Sequence, residues 1–457
     1  MRLASLVLAG SCLAFFATAC GNSADKASTT SHTTGSGGAG GGEGTGGDGG
    51  GSSTSSSSGE GPVSSSSSST TTSSGTGGTG GSAVPFPAPH PSPPKVMSYG
   101  GPVLGHPKVV PIFFPSDDPA IRAQVVDYLN KVGSTQYWAA TTAEYGVGPL
   151  TSLSPVDLTE AAPTLIDDAD IKTWLANKLE SQDSAFPQPD ANTIYTIHYP
   201  IETTITATFS DGQAPEQSCT YFGGYHSEVM ANTATGLQSV TYIVMPRCDD
   251  IFMLSGIDAL TGTESHELIE ASTDPRVISA PAYALPDNED LAWVLVYGGG
   301  EVGDMCAQVP GVFTEFSELP YTVQRSWSNK AAAAGQDPCQ PAIPNTIYFN
   351  SAPVLPDLIT TTLLGPELQV KGVRVPVGET RTIDVDLFST AEDSWSVGVQ
   401  QSMGSGNFDF QLDNDFGGNG DKLHLSITAL SEGEAAFFLL SNDGANNNLW
   451  VGFVGTN

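Results

Sequence analysis

The stretch 262–275 carries His266, Glu267 and Glu270, followed by Thr273, Asp274 and Pro275. On an α-helix His266 and Glu270 lie one turn apart on one face, with Glu267 on the flank. Two ligands from one turn and a glutamate beside them is the arrangement of the zinc-hydrolase helix His-Glu-x-x-His, with a carboxylate in place of the second histidine. Glu267 would then take a proton from a water on the ion. The same letters also suit an acidic amphipathic helix, so their meaning depends on what else the chain brings to them.

Two side chains leave a metal half bound. The best supplier of a third ligand is the glycine-rich segment 298–306, which offers Glu301 and Asp304 on a backbone able to approach a buried site closely. His226, in a loop beside Gly223 and Gly224, is a second candidate for lining the site. An exposed acidic turn and a surface histidine are the alternatives. Zinc is the expected cation. A set with one histidine and several carboxylates makes Ca²⁺ or Mn²⁺ alternatives.

The elements that must position these residues read as a mixed α/β layer. Residues 107–115 form a buried strand bounded by prolines. Asp118 and Pro119 then open a helix with Ile121, Val125, Tyr128, Leu129 and Val132 at helical spacing. Asp168 or Asp170 caps a second helix with Ile171, Trp174, Leu175 and Leu179 as its stripe. Strands follow at 193–199, 203–209 and 239–246, and His198 in the first of them reads as structural, facing away from the isoleucines. The site helix has two possible starts, Ser255 with Asp258 or Thr261 with Glu264, and should stop before Pro275.

The chain has 457 residues, 16 Lys+Arg, 49 Asp+Glu and a formal net charge of −33, which excludes nucleic acid as a natural partner. Residues 1–20 read as a secretory signal whose end resembles a bacterial lipoprotein signal. That resemblance implies Cys20 as the lipidated residue, although Ala17 stands where leucine is usual. The expected location is the cell envelope, with a lipid anchor in a bacterial outer membrane. Residues 21–96 read as a tether, first Gly, Ser and Thr and then Pro-rich, whose flexible part of about 60 residues reaches some 40 Å by ~5–6 Å × √n. Cys219, Cys248, Cys306 and Cys339 remain for disulfides in an exported protein. Sequential order favours Cys219 with Cys248 and Cys306 with Cys339, and the second bridge would pin the Glu301–Asp304 segment. Beyond a boundary at 341–344, residues 344–457 alternate like the short strands of an all-β sandwich. Asp413, Asn414 and Asp415 near the 417–421 turn suit turn chemistry better than Ca²⁺.

With these pieces in place, residues from about 99 to 339 resemble the phosphate-induced protein family, which includes the plant Exordium proteins. The resembling elements are Tyr99-Gly100-Gly101-Pro102, the loop with Tyr225-His226, Ser265-His266-Glu267-Leu268-Ile269-Glu270-Ala271, Glu301-Val302-Gly303-Asp304-Met305-Cys306, and Arg325-Ser326-Trp327-Ser328-Asn329. Plant members tend to have two cysteines before the histidine loop where this chain has one, so their disulfide scheme does not transfer. The resemblance implies an extracellular protein, linked in plants to growth, with no well-established activity. Its two acidic motifs look like a degenerate zincin site.

The expected fold is therefore α+β: a zincin-like mixed sheet with packed helices over 97–343, followed by the sandwich. The expected function is a metal-dependent, peptidase-like hydrolase acting on a peptide. The alternative is a non-catalytic cell-wall or signalling protein that binds cell-surface polysaccharide or protein and holds only a structural cation. A salt bridge from Glu267 to Arg276 or Arg325 would favour the second.

Overall fold

The computed structural model describes residues 84–209, 214–363 and 367–457. The expected signal peptide, Cys20 and the tether up to residue 83 lie outside these residues. Among the described residues no helix is long and apolar enough to cross a membrane.

The first strand, β1 (Lys108–Phe113), feeds helix α1 (Pro119–Val132). Asp118 caps that helix by accepting from the backbone N–H of Ala120 and Ile121, with proline at the first position where a missing N–H costs nothing. Helix α2 (Asp168–Glu180) is capped one residue earlier than expected. Asp167 accepts from Ala169 N, whereas Asp168 and Asp170 sit in the first turn, where negative charge suits the helix dipole. The Asp168 carboxylate instead takes the hydroxyls of Tyr225 and Tyr242 at 2.8 and 2.5 Å.

Strands β2 (Thr193–Tyr199), β3 (Tyr225–Thr233) and β4 (Gly236–Pro246) complete the sheet. Its order is Thr151–Ser152, β1, β2, β4, β3, with Val156–Asp157 also paired to β1. β1, β2 and β4 run parallel, and β3 lies antiparallel on the edge as the hairpin partner of β4. Parallel strands need cover on both faces. On one face Val109, Phe113, Ile194 and Ile243 pack with α1 and with helix α3 (Gly256–Thr273); on the other, Ile112, Ile197 and Val244 pack with α2. His198 does not face away from Ile194. The two are four residues apart in a strand and share the α3 face, where the His198 ring stacks on Phe113 at 4.6 Å and its Nε2 lies 3.0 Å from Glu264 Oε1.

Helix α3 is not an amphipathic surface helix, because almost every residue from Ala259 to Thr273 is buried. Its small polar side chains fit this setting by bonding backbone carbonyls: Ser272 donates to Leu268 O at 2.6 Å and Thr261 to Thr322 O at 2.8 Å. The helix starts after Ser255, but neither expected capping box forms. Asp258 accepts from Thr322 Oγ1, and Glu264 goes to His198. It ends at Thr273 with Asp274 as cap, immediately before Pro275.

The C-terminal region is β-rich. One sheet orders Phe349–Pro353, Thr380–Ser389, Lys422–Ala429 and Phe408–Leu412; the other orders Asp357–Thr361, Leu368–Arg374, Asn447–Gly455, Glu434–Asn442, Ser394–Gly404 and Phe416–Gly418. Val385 and Leu425 from the first share a core with Trp395, Phe437 and Val454 from the second, as in a sandwich. This region is packed on the α/β part, with Trp450 edge-on to Trp293 at 5.7 Å and Lys371 3.0 Å from Asp290. The Pro-rich end of the expected tether also docks on it. Ala88 is buried, His90 stacks on Phe388 at 3.8 Å, and Asn419 accepts from Ala88 N and donates to Pro85 O. Ala88, Pro94 and Val96 give that segment apolar surface to bury, which the Gly/Ser/Thr stretch before it lacks. Asn419, Asp413 and Asn414 are thereby occupied with backbone and His424 partners, as turn chemistry requires.

Candidate metal centre

His226 lies in strand β3 and not in the loop expected of it, and register brings it to the site helix. It lies opposite Ile243 across the β3–β4 pair, and cross-strand partners share a face, so its ring points to the α3 side with Ile243. There its Nδ1 lies 3.3 Å from Glu267 Oε2 and 3.9 Å from Glu270 Oε2. One turn of α3 sets His266 Nε2 3.0 Å from Glu270 Oε2, and Asp304 Oδ1 lies 3.7 Å from the same nitrogen. Glu301 Oε2 lies 3.7 Å from His226 Nε2. All six residues singled out in the sequence thus meet at one place, from an edge strand, a helix and a loop.

The loop reaches the helix because its backbone is partly glycine. Gly298 ends a short helix, Ala292–Tyr297, in the left-handed conformation at φ 82° and turns the chain back. The N–H groups of Gly303 and Asp304 then donate to Glu270 Oε1 at 3.1 and 3.0 Å, which fixes that carboxylate with Oε2 facing His266. A Cβ on Gly303 would lie 2.7 Å from both Glu270 Oε1 and His266 Nδ1. Gly303→Ala is therefore expected to displace Glu270 and His266, and to weaken any zinc affinity of the cluster by at least about tenfold, a loss in the range seen when groups supporting a ligand are removed. Equilibrium dialysis on a variant with wild-type near-ultraviolet circular dichroism would measure it.

Both disulfides form in sequential order, Cys219–Cys248 and Cys306–Cys339. The second ties the short helix Asp304–Ala307 to Cys339, as expected. Gln324, which sequence reading missed, adds a second tie: its side chain donates to Gly303 O at 2.8 Å and its backbone N–H to Ser265 Oγ at 2.8 Å. Asp274 was also missed as a site residue. It is fully buried, accepts from Ala282 N at 2.8 Å through Oδ1, and faces Glu301 and His226, with burial raising its pKa. The one local sign of it is an acidic residue at the end of the ligand helix, just before proline.

The electrostatics are those of a cluster short of positive charge. Burial would lower the His266 pKa, but Glu270, Glu267 and Asp304 outweigh it and raise it to about 10. The same balance raises His226. Burial and Glu270 push Asp304 up to about 7 and hold Glu301 well above the usual carboxylate range. Glu270 alone is lowered, because against burial it has His266 and His226. Protons and a divalent cation are alternative ways to balance such a group, and a cation would displace the protons.

Neither arginine neutralises Glu267. Arg325 is committed to Asp337, Pro341 O and Cys339 O, and the partner of Glu267 is His226. The side chains of His266, Glu301 and Asp304 are 16–17% exposed against 4–7% for Glu270, His226 and Glu267, so the cluster meets solvent along His266 and the 301–304 segment. A separate cavity of about 20 Å³, lined by Trp293, Tyr297, Trp327, Tyr348 and Trp450, lies where the β-rich region packs on the α/β part and holds none of the cluster residues.

No protein-family model matches the chain, and no curated protein is similar to it. Among solved structures, domains 4 and 5 of the S-layer protein SbsC are 18% identical over 22% of this chain and 52% of theirs, with a TM-score of 0.16. Domains 1–6 of SbsC are 19% identical over 22% of this chain and 13% of theirs, again at 0.16. The chain thus spans about half the length of the first of these, and likeness at this level carries no argument about fold or chemistry. The disulfides do bear on compartment: two bridges in one chain belong to an oxidising environment and mark an exported protein.

Proposed function

We propose that this is a metal-dependent hydrolase of the cell envelope, peptidase-like, with His266, Glu270 and Asp304 as the cation ligands, Glu301 beside them and Glu267 as general base. The observation that carries the reading is the partly buried set His266, Glu270 and Asp304, whose ligand atoms lie within 4.8 Å of one another. Separations of 3.0 and 3.7 Å between them straddle the ~3.3 Å expected for ligands at about 2.05 Å from a tetrahedral ion. One histidine with carboxylates suits Zn²⁺ and also Mn²⁺ or Ca²⁺. When bound, such an ion supplies Lewis acidity, acidifying water and polarising a carbonyl.

The chain's own residues supply the proton handling. Glu267 lies one residue past His266 on the same turn, so it borders the ligand set without belonging to it. His226 Nδ1 at 3.3 Å orients the Glu267 carboxylate, which would accept a proton from water and return it to the leaving amine. Strand β3 flanking the helix supports the zincin-like comparison, and the Exordium-like motifs coincide with the residues that converge. Tethering through Cys20 would hold this activity outside the outer membrane.

A second reading, a structural cation in a wall-binding or signalling protein, is favoured by one observation: no side chain of the cluster is more than 17% exposed. Glu267→Gln separates the two. Protein purified without chelator is expected to carry stoichiometric zinc in both wild type and variant, with peptide hydrolysis lost only in the variant. Wild type free of metal, or hydrolysis unchanged by the substitution, would sink the hydrolase.

A further inference from the structure

We infer that the hairpin Asp250–Ser255 is a subsite for a large apolar side chain of the peptide held at the cation cluster, with Phe252 and Met253 as its contact residues. The inference rests on the reading above and names the substrate class of the same site. Two observations carry it. The first is a turn that the packing of the fold does not explain. Asp250 pairs with Ser255 and Ile251 with Leu254, so Phe252 and Met253 form a two-residue turn, and both lie in the left-handed region at φ 53° and 62°. A turn with both central residues at positive φ favours Asn-Gly, because a larger side chain there crowds its own backbone. Burial of the side chains could offset that strain, but Met253 is 96% exposed and adds nothing to a core. Strain held by an exposed apolar residue points to a contact made outside the chain.

The second observation is where the turn stands. A Cβ on Gly262 would lie 2.9 Å from Leu254 Cδ1, and one on Gly223 would lie 3.1 Å from Ile251 Cδ1 and from Phe252 Cε2 and 3.0 Å from Thr263 Oγ1. Gly262 and Thr263 precede His266 and Glu267 by one helical turn, so the hairpin covers the turn of α3 next to the cluster, on the same face. Gly224 comes as close to Glu267, with 3.2 Å from its Cβ position to Glu267 Cγ. One peptide step of about 3.8 Å between these contacts puts Phe252 roughly 10 Å from Glu267, the reach of about three extended residues. The Cys219–Cys248 bridge joins the glycine loop to the root of the hairpin and holds that spacing. A peptide with its backbone at Glu267 would therefore lay a side chain on Phe252 and Met253. The exposed Asp249 and Asp250 at the root repel anionic lipid headgroups and acidic residues, which favours a neutral or basic peptide over a membrane surface.

The test adds Met253→Gly or Met253→Leu to the full exported chain carrying Glu267→Gln, so that peptides stay whole, and measures fluorescence anisotropy in the presence of Zn²⁺. The probes are labelled alanine hexapeptides with one leucine at each position in turn. Leucine at one position should tighten binding about tenfold over the all-alanine peptide, the order expected for partial burial of that side chain. Met253→Leu should keep the preference, and Met253→Gly should reduce it to less than about twofold. Glycine suits the turn, so the thermal midpoint of Met253→Gly should be no lower than that of its parent. A preference unchanged by Met253→Gly, or absent from the parent, overturns the subsite and leaves the proposed hydrolase standing. A preference that Met253→Gly removes, in peptides the wild-type chain never cleaves, supports the subsite and counts against the hydrolase. Binding to phosphatidylglycerol vesicles that Met253→Gly abolishes, with peptide binding unchanged, overturns the subsite in favour of a membrane contact. A midpoint lowered by Met253→Gly would show that the methionine serves the fold, which removes the first observation.

Discussion

Glu270→Ala is expected to abolish cation binding, with zinc affinity falling by more than about 100-fold. Loss of an outer-shell partner alone costs about 10–100-fold, and Glu270 is a member of the proposed ligand set itself. The substitution also removes the acceptor of the buried Gly303 N–H, which then costs about 1–3 kcal/mol, and of the partly buried Asp304 N–H, which costs less. The loop carrying Glu301 and Asp304 would lose its anchor on the helix. Zinc dialysis and thermal unfolding should therefore move together in this variant. Glu270→Gln divides the effects: an amide oxygen can still accept from the two N–H groups, so stability is largely retained, but it carries no charge to pair with a cation. Zinc affinity close to wild type in either variant would remove Glu270 from the ligand set.

Replacing Cys306 and Cys339 together by serine is expected to have the other large effect. The bridge closes a separation of 33 residues, for which the loop-closure estimate is about 4 kcal/mol of stability. Both cysteines are buried, so two serine hydroxyls add a desolvation cost. This bridge also holds the Asp304–Ala307 helix, so weaker zinc binding should accompany the lower denaturation midpoint. The pair Cys219–Cys248 is the control. It closes a similar separation of 29 residues, so its removal should cost similar stability, yet it makes no tie to the 301–304 segment. Equal loss of zinc affinity in both double variants would show that the Cys306–Cys339 bridge has no special part in the site.

Much of this architecture is legible locally. The α1 cap at Asp118, the strands at 108–113 and 193–199, and the spacing of His266 and Glu270 follow from backbone geometry over a few residues. So does the stop before Pro275. Local signals misled where several acidic residues competed for one job: Asp167 took the cap expected of Asp168 or Asp170, since Asp168 was drawn to two buried tyrosine hydroxyls. Glu264 likewise caps nothing, because the fold buries its carboxylate completely and turns Oε1 to His198.

The sequence by itself determined that two ligand-type side chains share one face of a helix and that an acidic, glycine-rich segment lies downstream to meet them. It left open which of Glu301 and Asp304 would arrive, and the tertiary structure brings both, Asp304 toward His266 and Glu301 toward His226. Register across β3 and β4 decided that His226 faces Glu267, and the burial of α3 on all sides decided that Asp274 is enclosed beside His226 and Glu301. These are contacts between residues 30 or more apart in the chain or set by packing from several elements. No local period encodes them, because they depend on which buried polar groups find partners once the sheet, the helix and the disulfide-held loop are closed together.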